Sequence, residues 1–211
     1  MIPIKPQPEP SHFNEKVRQP GKAFLEVTTC PTGKDWDKKN LWKHIERDLY
    51  DAYDGICAYS CTWISRATSS SNVEHFKPKS KYPKQAYEWG NYRLVCWKMN
   101  KNKGAQEDVL DPFTLQEGWF MLDFSSLLIF PKDDLAAHET MLVKKTLLRL
   151  KLNQDEDVIE DRKKWLVEYI LEEIPFTYLV KKAPFLAYEL KRQRLDDVNH
   201  PMWDAYKKPP K

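Results

Sequence analysis

No stretch of the 211 residues carries about 18 apolar residues in a row, so a hydrophobic transmembrane helix is not expected. The opening residues, MIPIKPQPEP, lack the apolar centre of a secretory signal or an anchor. A cytoplasmic location and no membrane partner are therefore the expectations. Internal repeats and low-complexity blocks are missing as well. Cysteine is scarce: Cys30, Cys57, Cys61 and Cys96 are all there is. In a cytoplasmic chain of this length they read as free thiols or metal ligands rather than as two disulfides. A strong charge of one sign is also missing, since 34 Lys and Arg against 31 Asp and Glu leave only +3.

An apolar fraction of 41%, with 13% aromatics, is enough for a packed core and excludes a disordered chain. The length suits one domain, or one domain with an extension. The charge distribution says more than its sum. Residues 77–104 hold eight cations (Lys77, Lys79, Lys81, Lys84, Arg93, Lys98, Lys101 and Lys103) and one acid, Glu88. This is a local +7 in a remainder of −4. Such an island fits a polyanionic partner, although a solvated lysine-rich loop explains the charge equally well.

Prolines at 3, 6, 8, 10 and 20 predict an extended arm without helix over the first 20 residues. Pro20-Gly21 reads as a turn, and residues 1–35 form a proline-rich arm lying on the body or on a partner. A helix is predicted from about Trp36 to Asp54, with Leu41, His44, Ile45, Asp48 and Leu49 at helical spacing and Gly55 as its stop. His44 there reads as an ordinary helix residue. Short strands are predicted over 119–124 and 127–130, joined near Ser125-Ser126 and closed by Pro131. Helices follow over about 133–150, 155–173 and 185–197, with Asn153 and Pro175 as breaks. Residues 36–130 thus make a central module, 131–200 a helical region, and 201–211 a loose tail.

The chemistry concentrates in Ile56–Gly104. Glu74-His75 places a carboxylate, able to hold a divalent cation, beside an imidazole, able to deprotonate water. Trp89-Gly90-Asn91 reads as a turn in which Asn91 bonds its own backbone or orients a histidine. In Asn100-Lys101-Asn102-Lys103-Gly104, Asn100 and Lys103 share a helix face; the amide can ligate Mg²⁺ and the lysine can hold a phosphate. Taken singly, each group is explained as a surface pair, an Asx turn or a polar turn.

Taken in order, the set resembles the HNH endonuclease superfamily, whose ββα-metal fold is two antiparallel strands and a helix around one divalent cation. One branch carries Cys-Ala-Tyr-Cys, Glu-His-Phe-x-Pro-Lys, Trp-x-Asn and Cys-x-x-Cys-Asn-x-x-Lys-Gly. This chain has Cys57-Ala58-Tyr59-Ser60, Glu74-His75-Phe76-Lys77-Pro78-Lys79, Trp89-Gly90-Asn91 and Cys96 to Gly104 in the same order. That branch includes the HNH subunit of Septu-type and retron-linked anti-phage systems, which works beside an ABC-type ATPase. Thr146, Leu150, Leu152-Asn153 and Arg162 resemble its helical part. The motifs span about 50 residues; the rest of the chain is similar in character only. The resemblance implies an α+β fold, a small ββα-metal module in a mainly helical single domain. It implies His75 as general base, Asn91 as its positioner, and Glu74 with Asn100 as ligands of Mg²⁺, Mn²⁺ or Ni²⁺. Asn102 is a rival ligand, and Lys103 and Arg93 are implied to contact phosphate. The implied partners are DNA and a co-encoded ABC-type ATPase, which the arm and the C-terminal helices would bind.

The branch holds a structural zinc with two Cys-x-x-Cys pairs, four thiolates in a tetrahedron. Here Ser60 and Met99 stand at the second position of each pair. The expectation is that the zinc is lost, and that Cys57, Cys61, Cys96, Met99, Trp63 and Trp97 hold the hairpin by packing. A three-thiolate site completed by Cys30 or His44 is the alternative. Three functions follow: a metal-dependent nuclease; a non-catalytic nucleic-acid-binding module on a decayed fold; or a helical interaction protein in which Glu74, Asn91 and Asn100 lie far from His75.

Overall fold

The computed structural model describes residues 1–207. Strand β1 (Ser71–His75) pairs antiparallel with β2 (Tyr92–Cys96), placing Glu74 opposite Arg93 and His75 opposite Tyr92. The segment YRLVC suits a strand because aromatic and β-branched side chains fit a pleated, buried surface; Tyr92, Leu94 and Val95 are buried. Helix α4 (Trp97–Lys103) leaves the end of β2 directly and stops at Gly104, whose φ of +52° favours glycine. α4 packs on both strands, and α3 (Glu46–Ala52) also packs on the hairpin. Residues 76–91 link the strands through 3₁₀ turns at Pro83–Gln85 and Trp89–Asn91.

The first 35 residues depart from the expected arm. Residues 1–10 are extended, but they are built into the body. Ile4 donates to the Pro112 carbonyl at 2.8 Å, and the Trp89 indole donates to the Gln7 carbonyl at 2.8 Å. A π-helical turn, Asn14–Arg18, then runs straight into α1 (Gln19–Val27), which contains Pro20 and Gly21. The wide turn lets Gln19 bond back to Asn14, and Pro20, which has no donor, falls just where the register returns to α. Gly21 is a close approach rather than a turn. A Cβ there would lie 2.2 Å from Cγ of Tyr87, so α1 rests directly on the Tyr87 ring.

The predicted helix over 36–54 is three pieces: α2 (Gly33–Lys38), a 3₁₀ turn (Leu41–Ile45) and α3. The break falls at Lys39 and Asn40, whose backbones leave the helical region. An Asn favours such local turns over a helix interior.

Beyond α4, β3 (Phe120–Leu122) and β4 (Ile129–Pro131) form a second antiparallel pair. Its turn is held by Asp123, which accepts from the Ser125 and Ser126 amides. Helices α5 (Ala137–Leu150), α6 (Glu156–Ile170), α7 (Phe176–Lys182) and α8 (Pro184–Arg192) follow. α7 falls in the gap the sequence left after Pro175. The joint between these helices and β4 is polar and buried. Arg162 donates to the Leu127 and Leu152 carbonyls, while Asn153 exchanges two bonds with the Ile129 backbone. Thr146 accepts from the Leu110 amide. The expected loose tail is ordered over its described part: a 3₁₀ turn at Pro201–Trp203 leads into α9 (Asp204–Lys207), and Trp203 is fully buried with its indole donating to Leu195 and Asp197. Residues 208–211 lie outside the described residues. The fold is α+β, and no helix among the described residues is long and apolar enough to cross a membrane.

Candidate functional site

A cleft of about 750 Å³ runs along β1 between the α2–α3 region and α4. Glu74, His75 and Asn100 all line it, with Trp42, Lys79 and Lys101. Adjacent strand residues point to opposite faces, yet both members of the Glu-His pair reach this cleft. β1 lies at the edge of a two-stranded sheet, so neither face is shut off from it by a further strand. Of the residues that the interaction-protein reading would scatter, Glu74 and Asn100 share this cleft with His75, and Asn91 does not line it.

His75 is held on every side. Its Nε2 donates to the Ala86 carbonyl at 2.9 Å; a carbonyl only accepts, so the proton of the neutral ring sits on Nε2 and the Nδ1 lone pair is free. Trp42 and Tyr92 pack edge-on at 4.7 and 5.2 Å between ring centres. The Tyr92 hydroxyl donates to the same Ala86 carbonyl at 2.7 Å. Burial, reinforced by Lys79 and then Lys103, pulls the imidazole down to about 3 against the Ala86 bond. The ring is therefore neutral at any ordinary pH and available as an acceptor.

Glu74 is buried beside Lys103, whose Nζ lies 2.5 Å from Oε1. The ammonium also donates to the His75 carbonyl at 3.2 Å. Its contact with the carboxylate is close but poorly directed, and Oε1 gains no well-aligned hydrogen bond. Burial pushes Glu74 up to about 7, opposed by Lys103, Lys79 and Arg93.

The Asn91 side chain makes no hydrogen bond to His75. Its Oδ1 accepts from the Lys77 amide at 2.7 Å, and its Nδ2 donates to the Lys77 and Gln85 carbonyls, each at 3.0 Å. It clamps both ends of the link between the strands, and Gln85 directly precedes Ala86, whose carbonyl holds His75.

The other predicted residues separate clearly. Asn100 sits in the cleft wall, its amide 3.4 Å from Asn72 Oδ1. Asn102 turns away, donating to the Leu150 carbonyl of α5 at 3.0 Å, so it is not beside Glu74. Arg93 is 3% exposed and fully engaged: it forms a two-pronged pair with Asp111 at 2.8 and 2.7 Å, donates to Gly90 and Tyr92, and lies 3.4 Å over the Phe113 ring. Lys103 is wholly buried. Neither is free to meet a phosphate in this arrangement: Lys103 pairs with buried Glu74, and Arg93 with half-buried Asp111. Lys81 pairs with Glu107, and Lys98 with Asp155 and Asp157. Of the eight cations in the basic island, Lys77, Lys79, Lys84 and Lys101 alone form no ion pair among the described residues.

Glu74, with a carboxylate, and Asn100, with an amide oxygen, both line the cleft. No group of three or more His, Cys, Asp or Glu converges anywhere among the described residues. A site of one carboxylate and one amide fits a hard divalent cation completed by water and substrate phosphate, the manner in which Mg²⁺ is usually held. It does not fit a caged ion.

The cysteine positions form no such group either. Cys57 and Cys61 are buried, and the Cys96 amide donates to Cys57 Sγ at 3.4 Å. Ser60 bonds Thr62, Met99 is wholly buried, and Cys30 is exposed. Cys61 and His44 add no third convergent ligand.

Sequence reasoning missed the Ala86 carbonyl, Trp42 and the Lys103–Glu74 pair. Tyr92 was detectable: it follows Asn91 and stands opposite His75 once the hairpin is aligned.

No family model matches the chain. It is 25% identical over 112 residues to the Septu protein PtuB of Bacillus thuringiensis, a match spanning 53% of this chain and 40% of that protein. The chain thus aligns with less than half the length of this relative, and the likeness supports a Septu-like relationship.

Proposed function

We propose that the chain is a metal-dependent endonuclease of the HNH type, hydrolysing phosphodiester bonds in DNA as the effector of an anti-phage system. The observation that carries this reading is the His75 tautomer, fixed by Ala86 and leaving Nδ1 unbonded in the cleft that Glu74 and Asn100 also line. In this reading Nδ1 takes the proton of the attacking water. A phosphate brought into the cleft adds negative charge beside the ring, which raises its proton affinity from the low value set by burial. A divalent cation held by Glu74 and Asn100 would supply positive charge to the phosphate oxygens and the leaving oxygen. Lys103 opposes the upward push of burial on the Glu74 carboxyl, and Asn91 keeps the Ala86 carbonyl in place. Packing around Cys57, Cys96 and Met99 holds the hairpin in place of zinc. The likeness to a Septu protein supports a multi-component defence role, with a co-encoded ABC-type ATPase as the proposed partner.

The ligand assignment has its own test. Asn100→Ala should weaken Mn²⁺ binding and cleavage at least 10-fold. Asn102→Ala should lower thermal stability while leaving the metal dependence of cleavage unchanged. The reverse result would move the ligand to Asn102 and require α4 to turn.

A second reading is favoured by one observation: Lys103 already neutralises Glu74. A non-catalytic nucleic-acid-binding module on the same fold would bind DNA with a salt-dependent affinity and cleave nothing in any metal.

A further inference from the structure

Three of the four cations of the basic island that lack a carboxylate partner lie over aromatic rings. Lys77 Nζ is 5.4 Å from the Tyr82 ring centre, Lys79 Nζ 5.1 Å from Trp42, and Lys101 Nζ 4.9 Å from Trp97. Trp97 differs from the other two rings in position and exposure. It is the first residue of α4 and is 52% exposed. Its backbone amide is tied to the Ser70 carbonyl at 3.1 Å, and the helix behind it is anchored by buried Met99 and Lys103. The adjacent Lys98 is drawn away to Asp155 and Asp157. The backbone that carries this exposed indole is thus held, with Lys101 as its cover. Lys101 itself lines the cleft that holds Glu74, His75 and Asn100.

The charges of that cleft are mixed. Lys43, Lys79 and Lys101 line it together with Asp37, Glu46 and Glu74, and Glu46 is bound by the Ser71 hydroxyl. The two phosphate backbones of a duplex bring more negative charge against these carboxylates than one strand does. A duplex also hides its base faces, whereas an unpaired base can stack on an indole, a contact that tolerates any sequence.

We propose that Trp97 and Lys101 form a base-stacking platform at the lip of the cleft, and that the preferred ligand is single-stranded or locally unpaired nucleic acid. This rests on the cleft being the nucleic-acid site.

The test is fluorescence anisotropy on the full-length chain in chelator, so that nothing is cut. Three labelled probes of equal length are compared: oligo-dT, a blunt duplex and an abasic oligomer. Oligo-dT should bind more tightly than the other two. Trp97→Ala should weaken oligo-dT binding by about 5- to 100-fold, the worth of one stacked base, with little effect on the duplex or the abasic probe. Trp97→Phe should retain most of the affinity. Because Trp97 is half exposed, the variants should melt with the wild type, and this is checked alongside. Equal affinity for oligo-dT and duplex, or an unchanged Trp97→Ala affinity for oligo-dT, overturns the proposal. Cleavage is read separately with metal added. Trp97-dependent binding without cleavage removes the nuclease and keeps the platform; cleavage with Trp97-independent binding does the opposite.

Discussion

At His75 the immobilised ring leaves a thermodynamic signature. The imidazole is held near 3 in the fold, against an ordinary value of 6.5. Between those values the unfolded chain binds the extra proton, so His75 contributes stability that is complete above pH 6.5 and is lost as pH falls toward 3. Glu74 has the opposite sign. Its folded value of about 7 lies above the ordinary 4.5, so its contribution is complete below 4.5 and is lost as pH rises through 7. The two slopes oppose between 4.5 and 6.5. His75→Ala should therefore be less stable than wild type at neutral pH, with a deficit that shrinks as pH falls from 6.5 toward 3, read from paired melting curves. A constant deficit would mean that the ring is not held neutral by burial. Arg93 supplies the second residue-scale expectation. As half of a buried two-pronged pair, Arg93→Ala should cost roughly 3–5 kcal/mol of stability by stranding Asp111, measured by denaturant unfolding. A stable variant with weakened nucleic-acid binding would return Arg93 to phosphate contact. The Glu-His pair was legible in the sequence because adjacency brings its chemistry together in any fold that bends there. The roles of Arg93 and Lys103 were not, because a count of charges does not say which cations have partners. Asp111 lies well along the chain from Arg93, and Lys103 meets Glu74 only once α4 folds back on β1.

At the level of elements, the hairpin and the helix leaving it stand where the motif order placed them, and β3, β4 and the helices α5 and α6 follow their predicted spans within a few residues. The signals there were local: alternating or helical apolar spacing between clear stops. The N-terminal helix was hidden because Pro20 and Gly21 normally break a helix, while the π turn and the Tyr87 ring that permit them are tertiary facts. That contact reverses a common rule. Glycine to alanine inside a helix usually stabilises by up to about 1 kcal/mol. Gly21→Ala should instead destabilise by roughly 1–3 kcal/mol, because its Cβ would overlap Tyr87. Tyr87 packs against Trp42, which packs against His75, so the same variant should also reduce any activity that depends on the ring. A thermal melt at or above the wild-type midpoint would contradict the docking of α1.

Over the whole molecule, a small unit of β1, β2 and α4 is embedded in a scaffold that starts before it and closes after it. The extended N-terminal residues reach both the 3₁₀ turn at Trp89 and the segment at Pro112. The helical region is joined to α4 through Asn102 and Lys98. This explains why the candidate site could be partly located from the sequence while its electrostatics could not: the cations that read as a surface island are half consumed by long-range pairs. The central proposal is that the cleft around His75 is a working hydrolytic site. The direct measurement is cleavage of single-stranded and duplex DNA over a panel of Mg²⁺, Mn²⁺ and Ni²⁺, wild type beside His75→Ala, with and without a co-encoded ATPase. The account predicts divalent-dependent cutting by the wild type that falls at least 100-fold in His75→Ala, the scale expected for removing a general base. Equal activity, or equal inertness, of the two proteins across every metal and substrate would contradict it.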